Sequence, residues 1–357
     1  MKYSLKTYLK QSIPFIVLCL LWFSPSFINA QKILIVNNQA LTIQSDAVYQ
    51  SLQEAIDNAN NGDILHIIPS LSSYGDILLN KSLELYGIGV NDQIHQLQST
   101  VGTISVTANN DLLLADIVLS GLNFSDLLLQ NPTENLQVIA NRFNRIIHTN
   151  GTLKNAYFLH NIFERFNFDQ PDNENVVLAN NVINVSFTGS NAQSSQTASQ
   201  ILIFNNLFLS NATAVDAFLP AFREINSAVI QGNIFYGVSP NSAAITNSLI
   251  QNNSSFRSSR PDFPTSTNGN TVSNNIENVN PQLVNLPLLS FWQFAFDANL
   301  ESSSPLKNAG QDGTDIGPLA GFYPWYPSQS PLPFIESIDV QVQPDNSLRV
   351  RIKAQKN

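Results

Sequence analysis

Four side chains near the middle of the chain have the types and spacing from which chemistry could be built: Arg145, His148, His160 and Arg165. Removing a proton beside a uronate carboxylate needs a base, with a cation or metal to neutralise the carboxylate. Either histidine could serve as base, and the planar guanidinium fork suits a carboxylate. Arg223 and Arg257 are two further cations that could bind an acidic sugar. The plainer reading is structural. Glu164, Asp169 or Asp172 could stand between Arg145 and Arg165, and His160, directly before Asn161, fits a satisfied turn residue. Asp312 and Asp315 could bind calcium, but a calcium cage ordinarily takes more oxygens than two carboxylates supply. A turn role suits both better. No other cofactor is implied.

What must position these groups is a repeat. An aliphatic residue, two variable residues, Asn, one residue and often Phe recur as Val138-Ile-Ala-Asn141-Arg-Phe143, Phe158-Leu-His-Asn161-Ile-Phe163 and Leu178-Ala-Asn-Asn181-Val-Ile183. The pattern continues through Ile203 to Phe208 around Asn206, Ile230 to Phe235 around Asn233, Ile250 to Asn253 and Val272 to Asn275. Successive asparagines are 20, 20, 25, 27, 20 and 22 residues apart. Helical repeats have other periods and need apolar residues at helix spacing, and leucine-rich repeats need a regular Leu framework. A coil of about twenty-two residues holds three short strands and three turns, one circuit of a parallel β-helix. Successive circuits then stack at the ~4.8 Å strand spacing. The expected fold class is all-β: a right-handed parallel β-helix solenoid with an N-terminal capping helix and a C-terminal β-hairpin.

The asparagines suit tight left-handed bends, and their stacked amides could hydrogen-bond along the coils. Asn141, Asn161, Asn181, Asn206, Asn233, Asn253 and Asn275 are therefore read as a structural ladder. Phe143, Phe163, Phe208 and Phe235 should form a second ladder inside the core. Arg145 and Arg165 fall in one register of adjacent coils, where two like charges need an intervening group. If the strand ran on unbroken, parity would point them inward, so a turn is expected just before them. The two long steps place extra residues in Ser186 to Gln200 and Ser210 to Asn226, after the same strand of each coil. Both loops should emerge on one side as a wall, although surface loops also vary freely.

Before the coils, Tyr49 to Gly62 spaces Leu52, Ala55, Ile56 and Ala59 along one helix face, and Gly62 supplies a stop. The strand Ile64 to Pro69 follows, then Tyr74-Gly-Asp-Ile77 and Lys81-Ser-Leu83-Glu-Leu85-Tyr-Gly87. This order resembles the opening of the pectin-lyase-like superfamily of right-handed parallel β-helix proteins. Ile117 to Phe124 resembles another coil of that family, and Ser304 to Gly317 resembles the closing segment of many secreted bacterial members. The resemblance spans roughly Tyr49 to Gly321 and implies the fold together with an association with polysaccharide. It does not imply one activity, since the fold carries lyases, hydrolases, esterases and non-catalytic proteins. The coil aspartates that bind calcium in pectate lyases and the Gly-His-Gly segment of polygalacturonases have no counterpart here. Arg351-Ile352-Lys353 matches an enzyme motif but falls outside the coils.

The ends read differently. Lys2, Lys6 and Lys10 precede the apolar run Phe15 to Phe23, and Ser24-Pro25-Ser26 leads to Ala30, the order of a secretory leader. The run is shorter than the ~20 residues a spanning helix needs. Cys19, the one cysteine of the 357 residues, lies inside the leader behind Leu18, where a lipidation signal needs a small residue. The expected location is the cell surface or the medium, reached by the general secretory pathway, with no membrane span after cleavage and no disulfides. Without the leader, 14 basic side chains face 26 acidic ones, a net charge of −12. That balance excludes nucleic acid as the main partner and leaves polysaccharide as the expected one. The expected divisions are 1–30 leader, 31–63 strand and capping helix, 64–321 β-helix, 322–333 Pro-rich linker and 334–357 hairpin. The sequence supports a polysaccharide-binding protein without an identifiable catalytic motif, with a lyase or hydrolase acting on acidic polysaccharide as the alternative.

Overall fold

A computed structural model describes residues 31–39, 46–107, 113–168, 170, 172–185, 194–196, 201–210, 220–240, 242–257, 262–321, 323–325, 334–342 and 348–355. The proposed leader, Asp169 and most of the two long loops lie outside these residues. Two compact units, Met1–Gln31 and Lys32–Asn357, divide the chain. All the described strands belong to the second.

Three parallel sheets run along that unit. The first runs from Val48–Tyr49 and Ile33–Val36 through Gln137–Ile139, Leu153–Leu159, Glu174–Ala179 and Ile201–Phe204 to Thr271–Ser273, with the short strands Leu114–Ala115 and Thr133–Glu134 beside this path. The second runs from Ile77–Leu79 through Asp126–Leu129, Arg145–His148 and Arg165–Phe168 to Ile245–Thr246. The third, confined to the later coils, runs from Ile162–Phe163 through Val182–Val185, Leu207–Ser210 and Ile234–Tyr236 to Ser254–Phe256. Each strand pairs with its counterpart one coil before and after, as with Val138↔Phe158 and Phe158↔Leu178. That is a parallel β-helix.

The corner between the first and third sheets explains the repeat. Each ladder asparagine from Asn141 to Asn253 donates its backbone N–H to the Oδ1 of the next, at 2.8 to 3.0 Å, and the last acceptor is Asn275. Each Nδ2 also reaches the carbonyl of the core apolar residue one coil back, such as Val138 for Asn161, Phe158 for Asn181 and Leu178 for Asn206. Asn141 to Asn253 are buried, so every coil seals its polar corner with the amide of the next. Unpaired, such groups would each cost about 1–3 kcal/mol. The left-handed residue is not the ladder asparagine. It is the residue before it: Ala140, His160, Asn180, Asn205, Gly232, Asn252 and Asn274, with φ between 49° and 69°. The bend belongs to this preceding position, which turns its own side chain out of the corner.

The phenylalanine ladder has two pieces. Phe124, Phe143 and Phe163 stack at 4.7 and 5.1 Å with nearly coplanar rings. Phe208 and Phe235 stack at 4.6 Å. Ile183 occupies the rung between Phe163 and Phe208 and separates them.

Parallel pairing begins before residue 64, at Ile33–Val36, and ends before 321, at Thr271–Ser273. The chain after the last coil turns back along the outer face of the third sheet. Leu286, Trp292, Leu306, Ile316 and Trp325 bury Ile162, Val182, Leu207, Leu209 and Ile234. Third-sheet strands such as Leu207–Ser210 are therefore apolar on both faces, as strands covered on both sides must be. Trp325, within the expected linker, is buried with its ring 5.1 Å from that of Trp292. The hairpin pairs Phe334–Val342 with Leu348–Gln355 antiparallel, and the side chains of these strands lie outside the description.

At the other end, helix α1 (Leu52–Asn58) is capped by Ser51, whose Oγ accepts from the Glu54 N–H, and it buries Leu52, Ala55 and Ile56. The Gln53 amide both donates to and accepts from the backbone of Leu78, on the first strand of the second sheet. The ammonium of Lys81 donates to the carbonyls of Ile56, Asp57 and Ala59, the last turn of the helix. The helix thus shields that strand edge from further pairing.

Candidate functional site

The expected basic pair stands where its register placed it. Arg145 and Arg165 are partners on adjacent rungs of the second sheet, and Asp126 is the partner of Arg145 one rung earlier. Both strands alternate outward and inward from their first residue, so the two guanidiniums point out, while Ile146, His148, Phe166 and Phe168 point in. The carboxylate bonded to Arg145 is Asp126, which is not among the expected groups; of those, Glu164 interacts electrostatically with both arginines, and Asp169 lies outside the described residues. The two Asp126 oxygens accept from Nε, at 2.8 Å, and NH2 of Arg145. That hydrogen bond holds the Arg145 guanidinium above its usual value. Burial lowers Arg165, with Arg145 adding to the effect, and burial raises the Glu164 carboxyl against the pull of both arginines. The coil before Arg145 supplies its counter-ion, so one of the two cations is paired within the row.

The histidines do not join it. His148 occupies the inward side of its strand, 2% exposed, edge-on to Phe168. Neither of its ring nitrogens makes a hydrogen bond of ordinary geometry among the described residues, although the Asn150 and Gly151 backbone pulls its pKa up against burial. Burial pushes its pKa down to about 4, which makes it a neutral core residue. It cannot reach a substrate on the outer face. His160 lies at the left-handed corner position, its Nε2 2.8 Å from the Tyr323 carbonyl. Arg223 is exposed on the strand Phe222–Asn226 of the second sheet. Arg257 follows the third-sheet strand Ser254–Phe256, at a different corner, and lies 5.9 Å from the Phe256 ring. Asp312 accepts from the N–H and hydroxyl of Thr314, and Asp315 from Lys307 Nζ at 2.9 Å and the Asn308 N–H. Both are turn acceptors. Among the described residues no group of three His, Cys, Asp or Glu could hold a metal.

A second outward region is built differently. On the first sheet, Tyr157, Val177 and Leu202 form one outer row on consecutive rungs, and Ala179, Phe204 and Gln231 another. The returning chain from Gly310 to Tyr323 stands beside these rows and closes a cleft of about 490 Å³. Its lining interleaves the rings of Tyr157, Phe204 and Tyr323 with Asn175, Gln231, Gln311 and Thr314. The residues that bend each corner also hold this wall. Asn180 Nδ2 donates to the carbonyls of Pro318 and Ala320 at 2.8 and 2.7 Å. Asn252 Nδ2 donates to the Ala309 carbonyl, and the Gly317 N–H donates to the Gly232 carbonyl. Gly232 and Gly321 both have positive φ, and a Cβ on either would meet the Asn205 amide within 2.0 Å. A side chain at either position would have to displace that amide.

Sequence reasoning missed this cleft. A signal was present: Tyr157-Phe158-Leu159, Val176 to Ala179 and Ile201 to Phe204 are unbroken apolar runs, where a solvent-facing row would alternate. The residues before the ladder asparagines are a second signal, since four of them are themselves asparagines, Asn180, Asn205, Asn252 and Asn274.

The chain matches no protein-family model. No curated protein matches it either. Among solved structures it is similar to pectate lyase Pel9A, with 13% sequence identity, 81% of this chain and 96% of that chain covered, and a TM-score of 0.39. The fold stated above rests on this chain's own strand pairing.

Proposed function

We propose that this chain is an exported, polysaccharide-binding β-helix protein that acts by adhesion and not by catalysis. The observation that carries this reading is the cleft on the first sheet, where three aromatic rings alternate with side-chain amides beside a fixed wall. Rings of this kind can cover the apolar face of a sugar, and amides can both donate to and accept from its hydroxyls. A volume of about 490 Å³ lies within the range of small-molecule sites. Export is supported by the leader-like order of Lys2 to Ala30, and no described helix is long and apolar enough to cross a membrane. The test is retention of the purified protein on a broad array of plant, algal and host glycans. Retention by at least one polymer is expected, and retention by none would remove the reading.

A second reading, a lyase or hydrolase acting on acidic polysaccharide, is favoured by the outward placement of Arg145 and Arg165 on adjacent rungs. The inward His148 and the strap-bound His160 leave it without the bases it relied on. Ultraviolet detection of unsaturated products from uronate polymers tests the lyase form, and no product is expected.

A further inference from the structure

The chemistry of the cleft also says which sugars it suits, provided the polysaccharide-binding reading holds. Among the described residues its lining contains no arginine, lysine or histidine, and its one carboxylate is Asp312. An acidic polysaccharide entering it would bring carboxylates toward Asp312, on a chain whose net charge is already −9, with no guanidinium or ammonium to receive them. The cationic groups that could receive them, Arg145 and Arg165, stand on the second sheet and not in this lining. The polar capacity of the cleft is uncharged. Gln231 accepts from Gln251 through Oε1, so its two N–H groups are the donors it has for a ligand. Gln311 likewise accepts from Gln251, and Asn175 donates to the Tyr157 hydroxyl at 3.0 Å, which orients that ring's polar edge.

The wall is a fixed part of the site. Asn180 Nδ2 holds it through two carbonyls, and the burial of Trp292 and Trp325 anchors it on the third sheet. The cleft is therefore preformed, and a ligand need not order it on binding.

We infer that the cleft between the first sheet and the Gly310–Tyr323 segment binds uncharged glycans, with Tyr157, Phe204 and Tyr323 as ring contacts and Asn175, Gln231 and Gln311 as hydroxyl partners. Affinity electrophoresis of the full chain tests it, in gels containing neutral polymers (xylan, mannan, β-glucan) or uronate polymers (polygalacturonate, alginate). A neutral polymer should retard the protein at least tenfold more strongly than any uronate polymer. A Tyr157→Ala/Phe204→Ala double variant should lose at least tenfold of that affinity, and an Arg145→Ala/Arg165→Ala variant should keep it. Circular dichroism checks that each variant is folded. Tyr323→Ala, which removes a ring that is 46% exposed, gives a second test that does not touch the core. Neutral-polymer retention unchanged in folded ring variants would overturn the inference. So would uronate retention equal to or stronger than neutral retention, although polysaccharide binding itself would then stand. Retention by none of the polymers would instead overturn the polysaccharide reading on which the inference rests.

Discussion

Two outward faces of the same solenoid use polar residues in opposite ways. On the second sheet, Asp126, Arg145 and Arg165 occupy consecutive rungs, and Asp126 and Arg145 are spent on one another. On the first sheet, the described lining of the cleft is amides, hydroxyls, rings and aliphatic side chains with a single carboxylate, and Gln231 and Gln311 are only partly committed to partners in the protein. Formal charge draws the eye in a sequence. On a stack of coils, however, a charge repeated or opposed at one register meets its neighbour one strand spacing away, about 4.8 Å. It is then as apt to serve the stack as a ligand. In the cleft, the Gln231 and Gln311 amides each accept one bond from Gln251 and keep N–H donors for a partner.

The largest expected effect comes from the corner ladder that holds both faces in register. Asn181→Ala strands the Asn161 N–H and the Phe158 carbonyl, which now bond to Asn181 at 2.8 Å each, and breaks the amide contact to Asn206. At about 1–3 kcal/mol for each of these two stranded buried groups, unfolding stability should fall by roughly 2–6 kcal/mol. Chemical denaturation would show it, and a loss below about 1 kcal/mol would mean that water or backbone shifts replace the ladder.

The next effect separates the inner from the outer side of the charged strand. His148 has a folded pKa of about 4 against an ordinary 6.5, because burial disfavours its charged form. Its contribution is complete above about pH 6.5 and is lost as pH falls toward 4, since the unfolded chain then binds a proton that the folded chain refuses. The loss across that window should be of order 3 kcal/mol. His148→Leu, which copies its rung neighbour Leu129, should flatten this part of the melting-temperature profile between pH 7 and 4. An unchanged slope would place the titration elsewhere.

At the cleft, the Tyr157→Ala/Phe204→Ala loss of at least tenfold corresponds to about 1.4 kcal/mol of binding. The smallest effect belongs to the charged row. Asp126→Asn should cost less than about 1 kcal/mol of stability, because the Arg145 side chain is 38% exposed and water screens the pair. Glycan retention should not change. A large change in retention would make the row part of the binding surface and erase the contrast between the two faces.

The period of the ladder asparagines made the coils legible, because a repeated buried amide has one geometric consequence: it returns to the same corner. Arg145 and Arg165 were legible as neighbours for the same reason. Their counter-ion was not. Asp126 lies a full coil upstream, in a coil with Leu122 at the ladder position, so the asparagine spacing did not mark its register. His148 looked chemical because the turn that sets strand parity could be suspected from sequence and not fixed by it. The cleft was hidden for a different reason. It needs the returning segment from Gly310 to Tyr323, and nothing in the coil period says that a non-repeating tail folds back along the side. The left-handed residue was misplaced by one position, although Gly232 and Asn252 in that place were a fair indication.

The most direct test is diffraction from crystals of the protein grown with the neutral oligosaccharide that retards it most strongly. Sugar density stacked on Tyr157 and Phe204 and facing Tyr323 is the expected result. Density lying instead along Arg145 and Arg165, with the cleft empty, would contradict the account.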